Sequence, residues 1–155
     1  MEADDKKNQV KARSTVYRLL KVRLRSEKEI RDKLKLKQFP DEIIDNTITY
    51  FTQIGLIDDR LFAQKWIASR LNKPFGARRI QHELKDKGIQ RQIIDAEIKK
   101  ANEDYCEEDV VLVLARKRRL KYEGLDPQKV KQRLYGYLSR RGFSPESIFK
   151  AIKRL

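Results

Sequence analysis

Three observations predict an all-α fold of three tandem three-helix repeats. Residues 30–48 and 80–98 carry the same apolar comb fifty positions apart, pairing Ile30 with Ile80, Leu34 with Leu84, Phe39 with Ile89, Ile43 with Ile93, Ile44 with Ile94 and Ile48 with Ile98. A looser copy follows fifty-four positions later at Leu134, Leu138, Phe143, Ile148 and Ile152. A comb repeated at near-constant offset is the mark of stacked units, each a small brick of supersecondary structure. Finally, no Asn-Gly or similar hairpin dipeptide interrupts the chain, so nothing calls for antiparallel strands.

Punctuation divides each unit into helices. Ser26 starts the second helix of unit one, and Glu29 completes a capping box because its carboxylate reaches back to the free amide at the cap. Pro40 opens the third helix, where the first turn has no use for its missing N–H, and Gly55 ends it. Asp58 and Asp59 sit at the positive end of the next helix dipole. Leu61, Phe62, Ala63, Trp66, Ile67 and Arg70 then keep helical spacing until Asn72-Lys73-Pro74 breaks it. The middle helices of units two and three stop at Gly88 and Gly142, each followed by an apolar residue, Ile89 or Phe143. In the last unit, Asp126-Pro127 and Ser144-Pro145 are matched helix starts. The run Val110–Leu114 has the look of a buried strand, but acidic residues 107–109 precede it and basic residues 116–119 follow, which suits a helix dipole. It is read as a helix covered from two directions. The units are residues 11–57, 58–104 and 105–155, with 1–10 a solvated, flexible tail.

Composition limits what such a chain does. Among 155 residues, 37 Lys and Arg face 23 Asp and Glu, a formal charge of +14, so a polyanion is the natural partner. Apolar and charged residues each make up 39%, which fits a thin layered core in an elongated molecule better than a thick globule. One cysteine, Cys106, has no partner for an internal disulfide. Neither a signal peptide nor a membrane-length apolar stretch is present, so the expectation is a soluble, cytoplasmic monomer without membrane contact.

Catalysis is not expected. The single histidine, His82, lies about 200° round the helix from Ile80 and therefore on the wet face. The acidic groups Asp41/Glu42, Asp58/Asp59 and Glu107/Glu108/Asp109 all fall at helix starts, where capping and the dipole explain them without a metal. With no Gly-rich phosphate loop either, neither cofactor nor metal is anticipated.

Charge is unevenly spread, with net +4 over residues 1–57, +3 over 58–104 and +7 over 105–155. Few carboxylates stand near enough to neutralise the last unit, so Arg116, Arg119, Arg133, Arg140 and Arg141 are candidate binding residues. Arg118 shares the arc of Val111 and Leu114 and needs a partner or a groove edge. Tyr135 and Tyr137 interleave with these cations in a pattern compatible with stacking on bases; Tyr137 is the better core residue, Tyr135 is freer, and Trp66 is a packing anchor. Each unit also has the helix-turn-helix order of a duplex reader. The would-be recognition helices, however, carry Asp41, Glu42 and Asp45, Asp95 and Glu97, or Glu146, which opposes major-groove entry. A sequence-neutral DNA-binding module and a helix-turn-helix repressor remain the alternatives to a binder of acidic protein assemblies.

The stretch Gly55-Leu56-Ile57-Asp58-Asp59-Arg60-Leu61-Phe62-Ala63, with Trp66-Ile67, Ser69-Arg70, Gly76-Ala77-Arg78-Arg79-Ile80 and Glu83–Ile89, closely resembles the central signature of the RecX family, bacterial regulators of the RecA recombinase. The likeness extends to Ser26–Ile30 with Leu34 and to Arg140-Arg141-Gly142-Phe143-Ser144. It departs at Glu123, which separates Tyr122 from Gly124. The resemblance implies a curved rod of three helical repeats that lies in the groove of the RecA filament on single-stranded DNA, limiting filament growth, ATP hydrolysis and strand exchange without catalysis of its own. It also implies that Lys73, Arg78 and Arg79 contact the partner. DNA, single- or double-stranded, is expected to be attracted by charge.

Overall fold

The computed structural model describes residues 2–155, and every regular element in them is helical. Unit one comprises α1 (Glu2–Val22), α2 (Glu27–Leu36) and α3 (Asp41–Gln53). Unit two comprises α4 (Asp59–Asn72), α5 (Ala77–Asp86) and α6 (Arg91–Asn102). In unit three, α7 (Glu107–Arg119) runs into a 3-10 turn, Leu120–Tyr122, followed by α8 (Pro127–Arg140) and α9 (Pro145–Lys153).

The expected caps form. Ser26 Oγ accepts the Glu29 N–H at 3.2 Å while the Glu29 carboxylate accepts the Ser26 N–H at 3.2 Å, closing the capping box. Asp58, Asp126 and Ser144 cap α4, α8 and α9 by accepting first-turn backbone N–H groups, without the reciprocal bond of a capping box. Pro40 stands one position earlier than expected, outside α3 rather than in its first turn. Val110–Leu114 is helical and is covered by both α8 and α9: Val111 and Leu112 are buried and Val110 and Leu114 pack against the same core, so only Val113 is left half exposed. The larger difference lies at the N-terminus. Residues 2–10, expected as a tail, belong to α1, and the Gln9 side-chain amide donates to Thr47 Oγ1 at 3.0 Å, tying this segment to α3.

Burial follows the apolar comb but makes three separate cores. Ile30, Leu34, Ile44 and Phe51 anchor the first with Ala12 and Val16 of α1; Ile80, Leu84, Phe62 and Ile94 the second; Leu138, Phe143, Ile148 and Val111 the third. Extensive helix-on-helix packing occurs only inside a unit. The accessible surface is 10410 Å², against about 8,200 Å² for a compact protein of this mass, so the molecule is elongated.

Units meet through helix ends, and the two junctions repeat one scheme. At the first, Ser26 Oγ donates to the Lys87 carbonyl at 2.7 Å and Asp59 Oδ1 accepts the Glu27 N–H at 2.9 Å. At the second, the Gly76 N–H donates to the Arg141 carbonyl at 2.8 Å and the Arg78 N–H to the Gly142 carbonyl at 3.2 Å. In both, the glycine turn closing the middle helix of one unit sits against the start of the middle helix of the unit before it. The approach leaves no room for a side chain. A Cβ on Gly142, where φ is +87°, would lie 2.5 Å from the Arg79 nitrogen, and one on Gly88 would lie 2.6 Å from Lys28 Cβ. The equivalent position in unit one is Gln38, which keeps the left-handed φ of +62°.

Glu29 joins the first junction electrostatically, taking Lys87 Nζ at 2.7 Å and Arg23 Nη2 at 2.8 Å. Burial works to raise its pKa, but hydrogen bonds from Arg23, Lys87 and the Ser26 backbone, with the Lys87 charge, pull it down to about 2. A carboxyl whose folded pKa lies below its unfolded value near 4.5 stabilises the fold above pH 4.5, and this contribution is lost as pH falls towards 2. Urea unfolding should therefore show the wild type about 1–2 kcal/mol more stable than Glu29→Gln at pH 6, a figure already reduced for solvent screening. The difference should shrink steadily below pH 4.5.

Candidate partner interface

Helix geometry brings arginines and aromatic rings from distant parts of the chain into one alternating row. Its centre is Phe75, in the bend between α4 and α5 that Pro74 imposes. Arg79 lies 4.0 Å from the Phe75 ring centre, Arg141 5.4 Å and Arg70 5.6 Å. Towards unit three, Arg141 also covers Tyr137 at 5.1 Å, Arg118 covers Tyr137 at 4.6 Å and Tyr122 at 5.6 Å, and Arg133 reaches Tyr122 at 5.7 Å. Towards unit one, Arg70 lies over Trp66 at 4.5 Å, with Lys87 5.3 Å from the same ring. Because Lys87 also holds Glu29, the row passes through both junctions and touches all three units.

Glu83 orders the middle of the row. Its carboxylate accepts Trp66 Nε1 at 2.9 Å, Arg70 Nε at 2.6 Å and Arg79 Nε at 3.1 Å. Burial alone would raise the Glu83 pKa, but these bonds and the Arg70 charge hold it below the usual carboxylate range, so it stays anionic and keeps both guanidiniums oriented. At the second junction, Arg141 Nη1 donates to the Lys73 and Pro74 carbonyls, both at 3.2 Å.

The residues expected to bind a partner separate into two groups. Arg79, Arg141 and the Lys73 backbone converge on Phe75, and Arg133 joins at Tyr122. The exposed Arg78 and Arg140 flank this junction. Arg116 and Arg119 point elsewhere: with Arg154 they border a shallow hollow at the far end of unit three, where Arg119 also donates to the Leu155 carbonyl. Neither charge totals nor periodicity single out Arg70, Phe75 and Lys87, whose membership depends on contacts between residues far apart in sequence. Arg118 finds its partner in Tyr122, whose hydroxyl takes Arg118 Nε at 3.0 Å.

This arrangement also changes the role of the aromatics. The faces of Tyr137 and Trp66 carry guanidiniums, and Tyr135 packs against Phe149 with ring centres 5.4 Å apart, so neither tyrosine is a free platform for a base. The rings instead hold planar, permanently charged groups at fixed angles, the geometry that recognises carboxylates and phosphates. Among the described residues, no cluster of three or more histidine, cysteine, aspartate or glutamate side chains is placed to hold a metal, and no helix is long and apolar enough to cross a membrane.

Models of the first, second and third three-helix domains of RecX match residues 12–51, 58–97 and 107–152 in order. The chain belongs to the RecX family. The regulatory protein RecX of Chlorobium phaeobacteroides is 37% identical over 155 residues, covering 99% of this chain and 97% of that protein. That of Streptomyces lividans is 33% identical, covering 92% and 76%. The crystal structure of RecX from Lactobacillus salivarius matches with a TM-score of 0.85 at 25% identity, over 99% of this chain and 97% of that one. RecX family members of this kind are named as regulatory proteins, and the all-helical, three-domain order seen here is theirs.

Proposed function

We propose that this RecX-family chain is a non-enzymatic regulator that lies in the groove of a RecA filament on single-stranded DNA, restraining filament growth, ATP hydrolysis and strand exchange. The observation that carries this reading is the arginine–aromatic row crossing both junctions, a long ordered cationic strip on an elongated scaffold. Such a strip suits an assembly that repeats acidic side chains and phosphates along its axis, and net charge of +14 would steer the encounter. Occupying the groove excludes incoming duplex, which accounts for inhibition of strand exchange without any chemistry by this chain. The protein would act in the cytoplasm as a monomer.

Added to preformed filaments, the protein should lower ATP hydrolysis and strand exchange at substoichiometric amounts. Reversing Arg79 and Arg133 to glutamate should weaken that inhibition at least tenfold while circular dichroism stays unchanged. Absence of any effect at saturating protein would overturn the reading.

A further inference from the structure

The outer face of α1 carries a second cationic surface, separate from the arginine–aromatic row. Between Asp5 and Glu27 the sequence has eight Lys and Arg residues and no carboxylate. The helix buries Ala12, Thr15 and Val16 against its own unit. Lys7, Lys11, Ser14, Arg18 and Lys21 recur at steps of three or four residues and so fall within one narrow arc on the opposite side. All five are exposed, and among the described residues none of the four cations pairs with a carboxylate within 4.0 Å. The stripe is about 21 Å long at the 1.5 Å rise of a helix.

We infer that this stripe binds the phosphodiester backbone of single-stranded nucleic acid. A shallow groove runs beside it, with Lys11, Ser14 and Arg18 on one bank, Lys37 on the other, and Val10 and Phe39 supplying apolar surface. Cations a helical turn apart, a hydroxyl between them and no competing carboxylate match a chain of evenly spaced phosphates, while the apolar residues accommodate sugars and bases without reading them. An acidic amphipathic helix fits less well, since Val10 and Phe39 are the only large apolar side chains lining the groove and make too short a seam for one. This surface does not depend on recognition of the recombinase.

The test is binding of the full chain to a fluorescent oligothymidine, followed by anisotropy across a salt series. Replacing Lys7, Lys11, Arg18 and Lys21 together by Gln should weaken binding at least tenfold at 100 mM salt. It should also flatten the slope of log affinity against log salt by about 3, the release expected from four lost phosphate contacts. Equal charge removal in unit three, at Lys117, Lys121, Lys129 and Lys131, should weaken binding less than threefold. Ser14→Asp, a single exposed change that leaves the core untouched, should also weaken binding and so provides a second measure. The inference is overturned by undiminished affinity in the α1 variants, by an equal loss in the unit-three control, or by α1 variants that keep oligothymidine affinity and lose only binding to polyglutamate.

Discussion

Replacing Gly142 with alanine is expected to uncouple the second and third units. The substitution forces a side chain into a left-handed conformation, φ +87°, costing about 1–2 kcal/mol, and drives its Cβ to 2.5 Å from the Arg79 nitrogen. That contact involves backbone of α5 and offers no flexible tip that can swing aside. Relieving it means separating the two units and breaking the bonds from Gly76 and Arg78 to the Arg141 and Gly142 carbonyls. A combined loss on the order of 3 kcal/mol follows from strain plus overpacking. Gly124→Ala is the matched control, because Gly124 also has a positive φ, +82°, but nothing lies within 4 Å of a Cβ there. Urea unfolding should show about 1 kcal/mol lost in the control. In Gly142→Ala the transition should broaden or split as unit three unfolds on its own.

The second large effect is expected at Arg141 and not at its neighbour. Arg141 donates to the Lys73 and Pro74 carbonyls and lies over Phe75 and Tyr137, whereas Arg140 is exposed at the end of α8. Arg141→Ala removes two charge-assisted bonds and the stacking that links the units, a loss of about 2–3 kcal/mol. Arg140→Ala removes the same charge from the surface and should change stability by less than about 0.5 kcal/mol. Thermal unfolding of the two variants side by side distinguishes a junction residue from a surface cation. If both lose the same stability, the assignment of Arg141 to the junction is wrong.

Much of the scaffold was legible because its signals are local. The comb from Ile30 to Ile48 and its copies mark the core positions, and Ser26, Asp58, Asp126 and Ser144 mark helix starts through bonds that span two or three residues. Residues 2–10 escaped because they lack the comb: their helix is held by one continuous run into Ala12 and Val16 and by the Gln9–Thr47 bond, a contact between residues far apart in sequence. The junctions escaped for the same reason. Gly76 and Gly142 meet across two helices and their turns, and nothing local distinguishes Gly142, which must be bare, from Gly124, which lies in open space.

The candidate surface was only partly legible, because charge counted by chain segment is not charge counted by face. Unit three has the highest net charge, yet its Arg116 and Arg119 lie apart from the row that Arg133 and Arg141 join. Unit one totals only +4 because its acidic residues offset the α1 stripe in the sum, although Asp32 and Asp45 pair with Lys28 and Arg31 of α2 and leave the stripe itself unneutralised. Trp66, Phe75, Tyr122 and Tyr137 are too widely spaced in sequence for any periodicity to connect them.

The most direct test of the filament reading is cosedimentation of the full chain with RecA, with and without single-stranded DNA, in enough salt to suppress binding to DNA alone. The protein should pellet with assembled filaments and remain in the supernatant with unassembled recombinase, and the Arg79→Glu, Arg133→Glu double variant should stay in the supernatant in both cases. Failure to pellet with filaments, or pelleting that the double variant retains in full, would contradict that reading.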